Sequence, residues 1–123
     1  MPPRYQCYSL GAGWSWRLLG SNNRVLARSP HTSPDAAGAA RAARVVAELA
    51  AHGQIELLSE AGTAWRWALL KDGQVLAVAS SPYARRLECL RAVARFRACA
   101  PDAILVPQPM TFPGLGQRRA AAG

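Results

Sequence analysis

Apolar and polar positions alternate over residues 14–19: Trp14, Trp16 and Leu18 fall on one side of an extended chain, Ser15, Arg17 and Leu19 on the other. A repeat of two is the signature of a β-strand. The pattern returns as Trp65, Trp67 and Leu69 against Arg66, Ala68 and Leu70, an offset of 51. After each strand comes a turn signal, Asn22-Asn23 in the first copy and Asp72-Gly73 in the second, residues that tolerate positive φ and suit a hairpin. "RVLARS" and "QVLAVAS" then read as the returning strands, with the shared "VLA" offset by 50. Upstream, "RYQCYSL" and "QIELLSE" occupy equivalent places and read as a first strand in each copy.

Helices follow the hairpins. Ser33 as N-cap, Pro34 at the first helical position and Asp35 behind it open the first, and Gly53 just beyond His52 closes it. The second spans about Ala84 to Ala100 and stops at Pro101. Its inward stripe is read as Leu90, Val93, Phe96 and Ala100, with Arg91 and Arg95 nearly opposite. Each copy is therefore β-β-β-α, which predicts antiparallel α+β architecture rather than a parallel α/β sheet. Two copies are too few for a solenoid. A single unit of this size leaves a bare sheet edge and little core, whereas two can share one sheet with both helices on one face, related by a pseudo-two-fold. The expected core is Trp14, Trp16, Trp65, Trp67, Leu90, Val93 and Phe96. Residues 1–107 are expected to form one domain of two repeats, about 4–53 and 54–107, followed by a flexible tail at 108–123 containing Pro, Gly and Arg.

Composition narrows the function classes. The chain has 123 residues, half of them hydrophobic and 18% charged, which suits one folded domain. No apolar run approaches the ~20 residues that span a bilayer, and "MPPRYQCYSL" lacks a secretory apolar core, so the expected compartment is the cytoplasm and no membrane partner is expected. Cys7, Cys89 and Cys99 show no Cys-x-x-Cys spacing, and His31 and His52 stand apart. They read as structural thiols in a reducing compartment; neither a disulfide framework, a metal site nor a cofactor is expected.

Fourteen Arg and one Lys against seven acids give +8, a balance that favours anionic partners, although an Ala- and Arg-rich bias is also what GC-rich coding produces. The acids Asp35, Glu48, Glu56, Glu60, Asp72, Glu88 and Asp102 are scattered and none pairs with a histidine for base catalysis. "GAG" at 11–13 is short for a phosphate loop and leads into a strand. No catalytic residue is assigned, and a non-enzymatic module is expected.

Arg17, Arg28 and Arg66 fall on strand positions opposite the tryptophans or toward the strand end, so on the open face of the sheet their guanidinium groups can follow a phosphate backbone or stack on unpaired bases. The tail pair Arg118 and Arg119 adds charge without geometry. A charged sheet face is more often simply solvated. Two function classes are thus carried forward: a nucleic-acid-associated module that takes RNA or single-stranded DNA, and a protein-interaction adaptor, such as a mobile-element inhibitor of a bacterial protein complex. Either works as monomer or homodimer.

The motif W-x-W-R-L, a turn, V-L-A-x-S, then a tyrosine and a helix with Cys-Leu-x-x-Val resembles the YegP-like family, small bacterial and archaeal tandem-repeat domains of unknown function. The second copy carries it as "WRWALLKDGQVLAVASSPYARRLECLRAV", with Tyr83, Cys89, Leu90 and Val93 at the family positions. The first copy matches through "WSWRLLGSNNRVLARS" but has Ser33 or His31 at the tyrosine position and alanines in its helix. The resemblance spans about residues 4–106. It implies one sheet shared by two β3-α-β units with the last strand of each exchanged, "DAILVP" at 102–107 supplying one, and it implies no catalytic residue.

Overall fold

The strand-like alternations become eight strands in the computed structural model, which describes residues 1–107 and the short strand at Met110–Thr111. In chain order these are β1 (Arg4–Leu10), β2 (Gly13–Leu19), β3 (Val25–Arg28), helix α1 (Ala36–Leu49), β4 (Gln54–Glu60), β5 (Ala64–Lys71), β6 (Gln74–Ala79), helix α2 (Arg86–Cys99), a 3-10 turn (Ala100–Asp102), β7 (Ile104–Leu105) and β8 (Met110–Thr111). They form one mixed sheet in the order β4-β5-β6-β3-β2-β1-β7, with β8 also on the β1 edge. The fold is α+β, one sheet and two helices.

Register is the same in both halves. Arg17↔Arg28, Leu18↔Ala27 and Leu19↔Val25 in the first are matched by Ala68↔Val78, Leu69↔Ala77 and Leu70↔Val75 in the second, and each ladder has its irregularity after the second pair. Trp14 bridges Ser33, and Trp65 bridges Tyr83. The halves meet at Ala27↔Ala79 and Arg28↔Val78, between β3 and β6. The two last strands, β7 and β8, both run parallel to β1: Ile104 and Leu105 lie beside Arg4 and Tyr5, and Met110 and Thr111 beside Tyr8 and Ser9, across the sheet from the strands that precede α2.

Turn chemistry explains why the hairpins close. Asp72 and Gly73 both have positive φ, 51° and 80°, the requirement of a two-residue type I′ turn. In the longer first loop Asn23 takes φ 65°, and the Asn22 carboxamide oxygen accepts from the Arg24 N–H at 3.0 Å. Arg4 adds a third constraint, its guanidinium donating to Asn23 Oδ1 at 2.7 Å.

Helix α1 begins two residues later than the sequence suggests. The cap is Asp35, whose carboxylate accepts from Gly38 N at 2.7 Å, while Ser33 is committed to the backbone bridge with Trp14. A carboxylate at the N-cap outbids the hydroxyl because it also meets the positive end of the helix dipole. Helix α1 ends at Leu49 with Ala50 as its C-cap, short of the expected stop at Gly53, whose N–H donates to Leu49 O at 2.6 Å. A Cβ there would stand 2.6 Å from that oxygen and 2.7 Å from Leu69 Cδ1, so close approach demands glycine. Helix α2 starts at Arg86 with no side-chain cap, and Pro101 lies in the 3-10 turn that follows it.

One core lies between helices and sheet. Trp16, Trp67, Tyr5, Leu18, Leu69 and Phe96 are its largest buried members, joined by Ala39, Ala43 and Val46 of α1 and Cys89, Ala92 and Val93 of α2. Trp14 and Trp65 are half-buried at its margin. Trp67 packs against Phe96 with ring centroids 4.5 Å apart, and Tyr5 meets Trp16 edge-on at 5.6 Å. Leu90 departs from the expected core: it is 38% exposed. The inward stripe of α2 is Cys89, Ala92, Val93 and Phe96, a spacing of three, one and three that leaves Leu90 about 100° around the helix.

Candidate functional site

Tyr5 and Cys7 point into the core, so alternation along β1 sends Arg4, Gln6 and Tyr8 to the opposite face of the sheet. The same reasoning places Ser15, Arg17 and Leu19 of β2, Arg28 of β3, Val78 of β6 and Arg66, Ala68 and Leu70 of β5 on that face. Strand pairing then lines up one row across the sheet, Gln6, Arg17, Arg28, Val78, Ala68 and Glu56. Arg17 and Arg28 are thus direct cross-strand neighbours, about 5 Å apart at Cα.

Arg66 stands elsewhere. It is opposite Leu58 of β4, two residues along β5 from Ala68, and the whole of β6 separates it from Arg28. Taking ~4.8 Å per strand and ~3.4 Å per residue, the backbones of Arg66 and Arg28 are roughly 12 Å apart. Arg118 and Arg119 lie outside the described residues.

Around Arg17 the side chains are ordered by several contacts. Its Nε donates to Gln6 Oε1 at 2.9 Å, and its guanidinium carbon sits 5.8 Å from the centre of the Tyr8 ring. Arg28 is exposed, with one weak bond at 3.4 Å to the carbonyl of Ser29. Glu56, at the far end of the row, accepts from Gln54 Nε2 at 3.3 Å. The face is less bare than alternation alone implies. Leu19, Ala68 and Ser15 are buried within it, because short side chains sink between longer neighbours such as Arg17, Arg66 and Tyr8.

Tyr8 was not among the sequence candidates. The signal is present in "RYQCYSL": Tyr5 and Tyr8 differ by three positions, so they cannot share a face of a strand, and one must lie beside the arginines.

Titratable groups add little chemistry. Burial raises the Tyr5 hydroxyl above the usual tyrosine range, and Tyr5 donates to Ala100 O at 2.9 Å. Burial also raises the Cys7 and Cys89 thiols, against the opposing pull of Arg44 and Arg86 respectively. All three cysteines are unpaired thiols. Among the described residues, no three His, Cys, Asp or Glu side chains cluster closely enough to hold a metal ion. No described helix is long and apolar enough to cross a membrane.

This architecture, a single sheet backed on one side by two helices, defines a small α+β sheet domain. Residues 61–106 match the model of the family described as a domain of unknown function, DUF1508. The fold is similar to that of yegP, a protein of unknown function from E. coli, with a TM-score of 0.70 and 13% identity over 90% of this chain and 95% of that one. It is similar also to UPF0339 protein SO3888 from Shewanella oneidensis, with a TM-score of 0.70 and 11% identity over 90% and 93% of the two chains. No curated protein sequence matches the chain. The expected resemblance to the YegP-like family therefore holds, carried in sequence by the second half and in fold by the whole sheet.

Proposed function

We propose that the protein is a cytoplasmic, non-enzymatic binding module that receives single-stranded nucleic acid on the sheet face turned away from its helices. One observation carries this reading: Arg17 and Arg28 are paired across two strands with the Tyr8 ring against Arg17. Like charges directly opposite one another oppose folding by roughly 0.2 to 1 kcal/mol, a cost that a bound anion removes. The tyrosine supplies a stacking surface next to the phosphate-binding groups, the combination by which sheet faces hold unpaired bases.

The same reading takes the chain as a duplicated half. Offsetting the first helix by 50 carries Ala39, Ala43, Val46 and Ala50 onto Cys89, Val93, Phe96 and Ala100, all buried. At that offset the pair Arg28↔Val78 maps onto itself, which supports a pseudo-two-fold relation centred on this pair. The exposed arginine of that pair has valine as its counterpart, so the charge at that centre belongs to one half only. Strand β7, lying against β1, is the candidate for an exchanged strand.

The test is fluorescence anisotropy with a labelled single-stranded RNA. Binding at 50 mM salt is expected to weaken with added salt at a log-log slope near −0.7 per phosphate contacted. The double variant Arg17→Gln with Arg28→Gln is expected to flatten the slope by about 1.4, and Arg66→Gln by less. Absence of binding at 50 mM salt refutes the proposal.

A second reading rests on β4, an edge strand of seven residues, Gln54–Glu60, in which Leu58 is 47% exposed. Such an edge can accept a strand from another protein. Recovery of a stoichiometric protein partner from nuclease-treated lysate, lost on replacing Ser59 with Pro, supports that adaptor role; loss of all partners with nuclease excludes it.

A further inference from the structure

A sizeable cavity lies away from the paired arginines. It is a cleft of about 680 Å³ between the first hairpin, the segment after β6 and the final turns of α2. Its volume is in the range of small-molecule sites. Arg24 of the hairpin and Arg95 of the helix both line it, so two cations border one space. Neither guanidinium has a hydrogen-bonding or ionic partner among the described residues, and no carboxylate lines the cleft.

The remaining lining is selective in kind. Ser21, Ser81 and the Tyr83 hydroxyl offer neutral donors, and Leu26 with the ring of Tyr83 offers apolar surface. The hairpin wall is prefixed, since the Asn22 side chain already holds the Arg24 backbone and Arg4 already holds Asn23. The helix end, whose carbonyls would repel an anion, is partly neutralised because Ala100 O accepts from Tyr5.

The other half does not repeat this chemistry. At the offset of 50 that matches the buried faces of the helices, Arg95 is replaced by Val45 and Ala98 by Glu48, while Arg24 is replaced by Gln74 beside Asp72 in the second turn. Both cations are missing there and carboxylates stand in their neighbourhood. A compositional excess of arginine would not sort itself in this way between equivalent positions.

We infer that the cleft is a binding site for a phosphomonoester carried on a small, partly apolar body, its phosphate held between Arg24 and Arg95 and its body lying against Leu26 and Tyr83. Guanidinium groups suit phosphate because their forked donors match its oxygens. This site is independent of the sheet face, and its failure and that of the face are separable by variant.

Calorimetric titration of the full chain with adenosine 5′-monophosphate, adenosine and inorganic phosphate at low salt tests the assignment. The monophosphate is expected to bind with Kd of roughly 1 mM or tighter, well ahead of adenosine and inorganic phosphate. Arg24→Gln and Arg95→Gln are each expected to weaken it roughly tenfold or more, the loss of a charge-assisted hydrogen bond. Arg41→Gln, at an exposed position of α1 outside both the cleft and the sheet face, should leave it unchanged. Both cleft residues are exposed, so neither variant threatens folding, and circular dichroism checks this. A 5′-phosphorylated oligonucleotide that gains affinity over its 5′-hydroxyl form through the same arginines identifies a strand end as the source of the phosphate; a gain confined to the mononucleotide identifies a free metabolite. Equal affinity for the monophosphate in wild type and both variants, or no binding at ~10 mM, overturns the inference.

Discussion

Replacing Trp67 with Phe tests how the core is held together, because two opposing terms are of similar size. Trp67 is fully buried against Phe96, and its indole N–H, like that of Trp16, has no hydrogen-bond acceptor among the described residues. Removing the second ring takes away roughly 40 Å² of buried apolar area, or about 1 kcal/mol at ~25 cal/mol/Å². The gap left behind, of roughly 40 Å³, costs about another 1 kcal/mol. Against this, the substitution deletes a buried donor whose unsatisfied state costs about 1 to 3 kcal/mol. The expected net change in unfolding free energy is therefore within about 1 kcal/mol of zero, whereas Trp67→Ala is expected to lose about 3 to 5 kcal/mol. Urea denaturation followed by far-ultraviolet circular dichroism gives both values from the same transition. A loss above about 3 kcal/mol for Trp67→Phe would mean that the indole N–H contributes a real interaction, and the argument from an orphaned donor would be wrong.

Three further outcomes can be checked on the same material. Gly53→Ala should lower stability by about 2 kcal/mol, near 8 °C in Tm by thermal melting, since its methyl would press on Leu49 O and Leu69; Gly73→Ala meets no atom and carries only its left-handed backbone penalty of about 1 kcal/mol. Leu90→Gln should change stability by less than about 0.5 kcal/mol in denaturant titration, while Phe96→Ala one face away should cost about 3 to 5 kcal/mol. For alkaline pH the sign follows from the raised Tyr5, Cys7 and Cys89 groups: the native state holds their protons longer than the unfolded chain does. Their stabilising contribution is complete below about pH 8.5 and falls as pH rises past it, first through the thiols and then, above about pH 10, through Tyr5. Melting temperatures from pH 7 to 11 should decline accordingly, and Tyr5→Phe should flatten the upper part of the decline.

Strand and turn positions were legible in the sequence because they rest on local rules. Alternation around Trp14 and Trp65 is enforced by the pleat, and Asp72-Gly73 has few other uses than a tight turn. Where two local signals competed, geometry beyond the segment chose between them. Ser33 and Asp35 both fit an N-cap, and the bridge from Ser33 to Trp14 assigned the cap to Asp35. Rotation of α2 about its axis is a similar case: Cys89 and Leu90 are both apolar, and only docking against β5 and β3 turns the smaller one inward. The arginines show the limit most clearly. Sharing a face could be read from parity, but Arg17 and Arg28 became neighbours and Arg66 did not through register, which no single strand encodes. Arg24 and Arg95 stood further still from recognition, since a hairpin tip and a helix end meet only in the assembled fold.

The parallel contact between β7 and β1 has a consequence for how the chain comes into being. Ile104 N–H reaches Pro3 O and Val106 N–H reaches Tyr5 O, so backbone groups on the edge of β1 wait for partners about a hundred positions later. During translation the opening strand must carry an unprotected flank until nearly the whole domain has emerged. The edge of β1, made early, is thus among the last parts of the sheet to be finished.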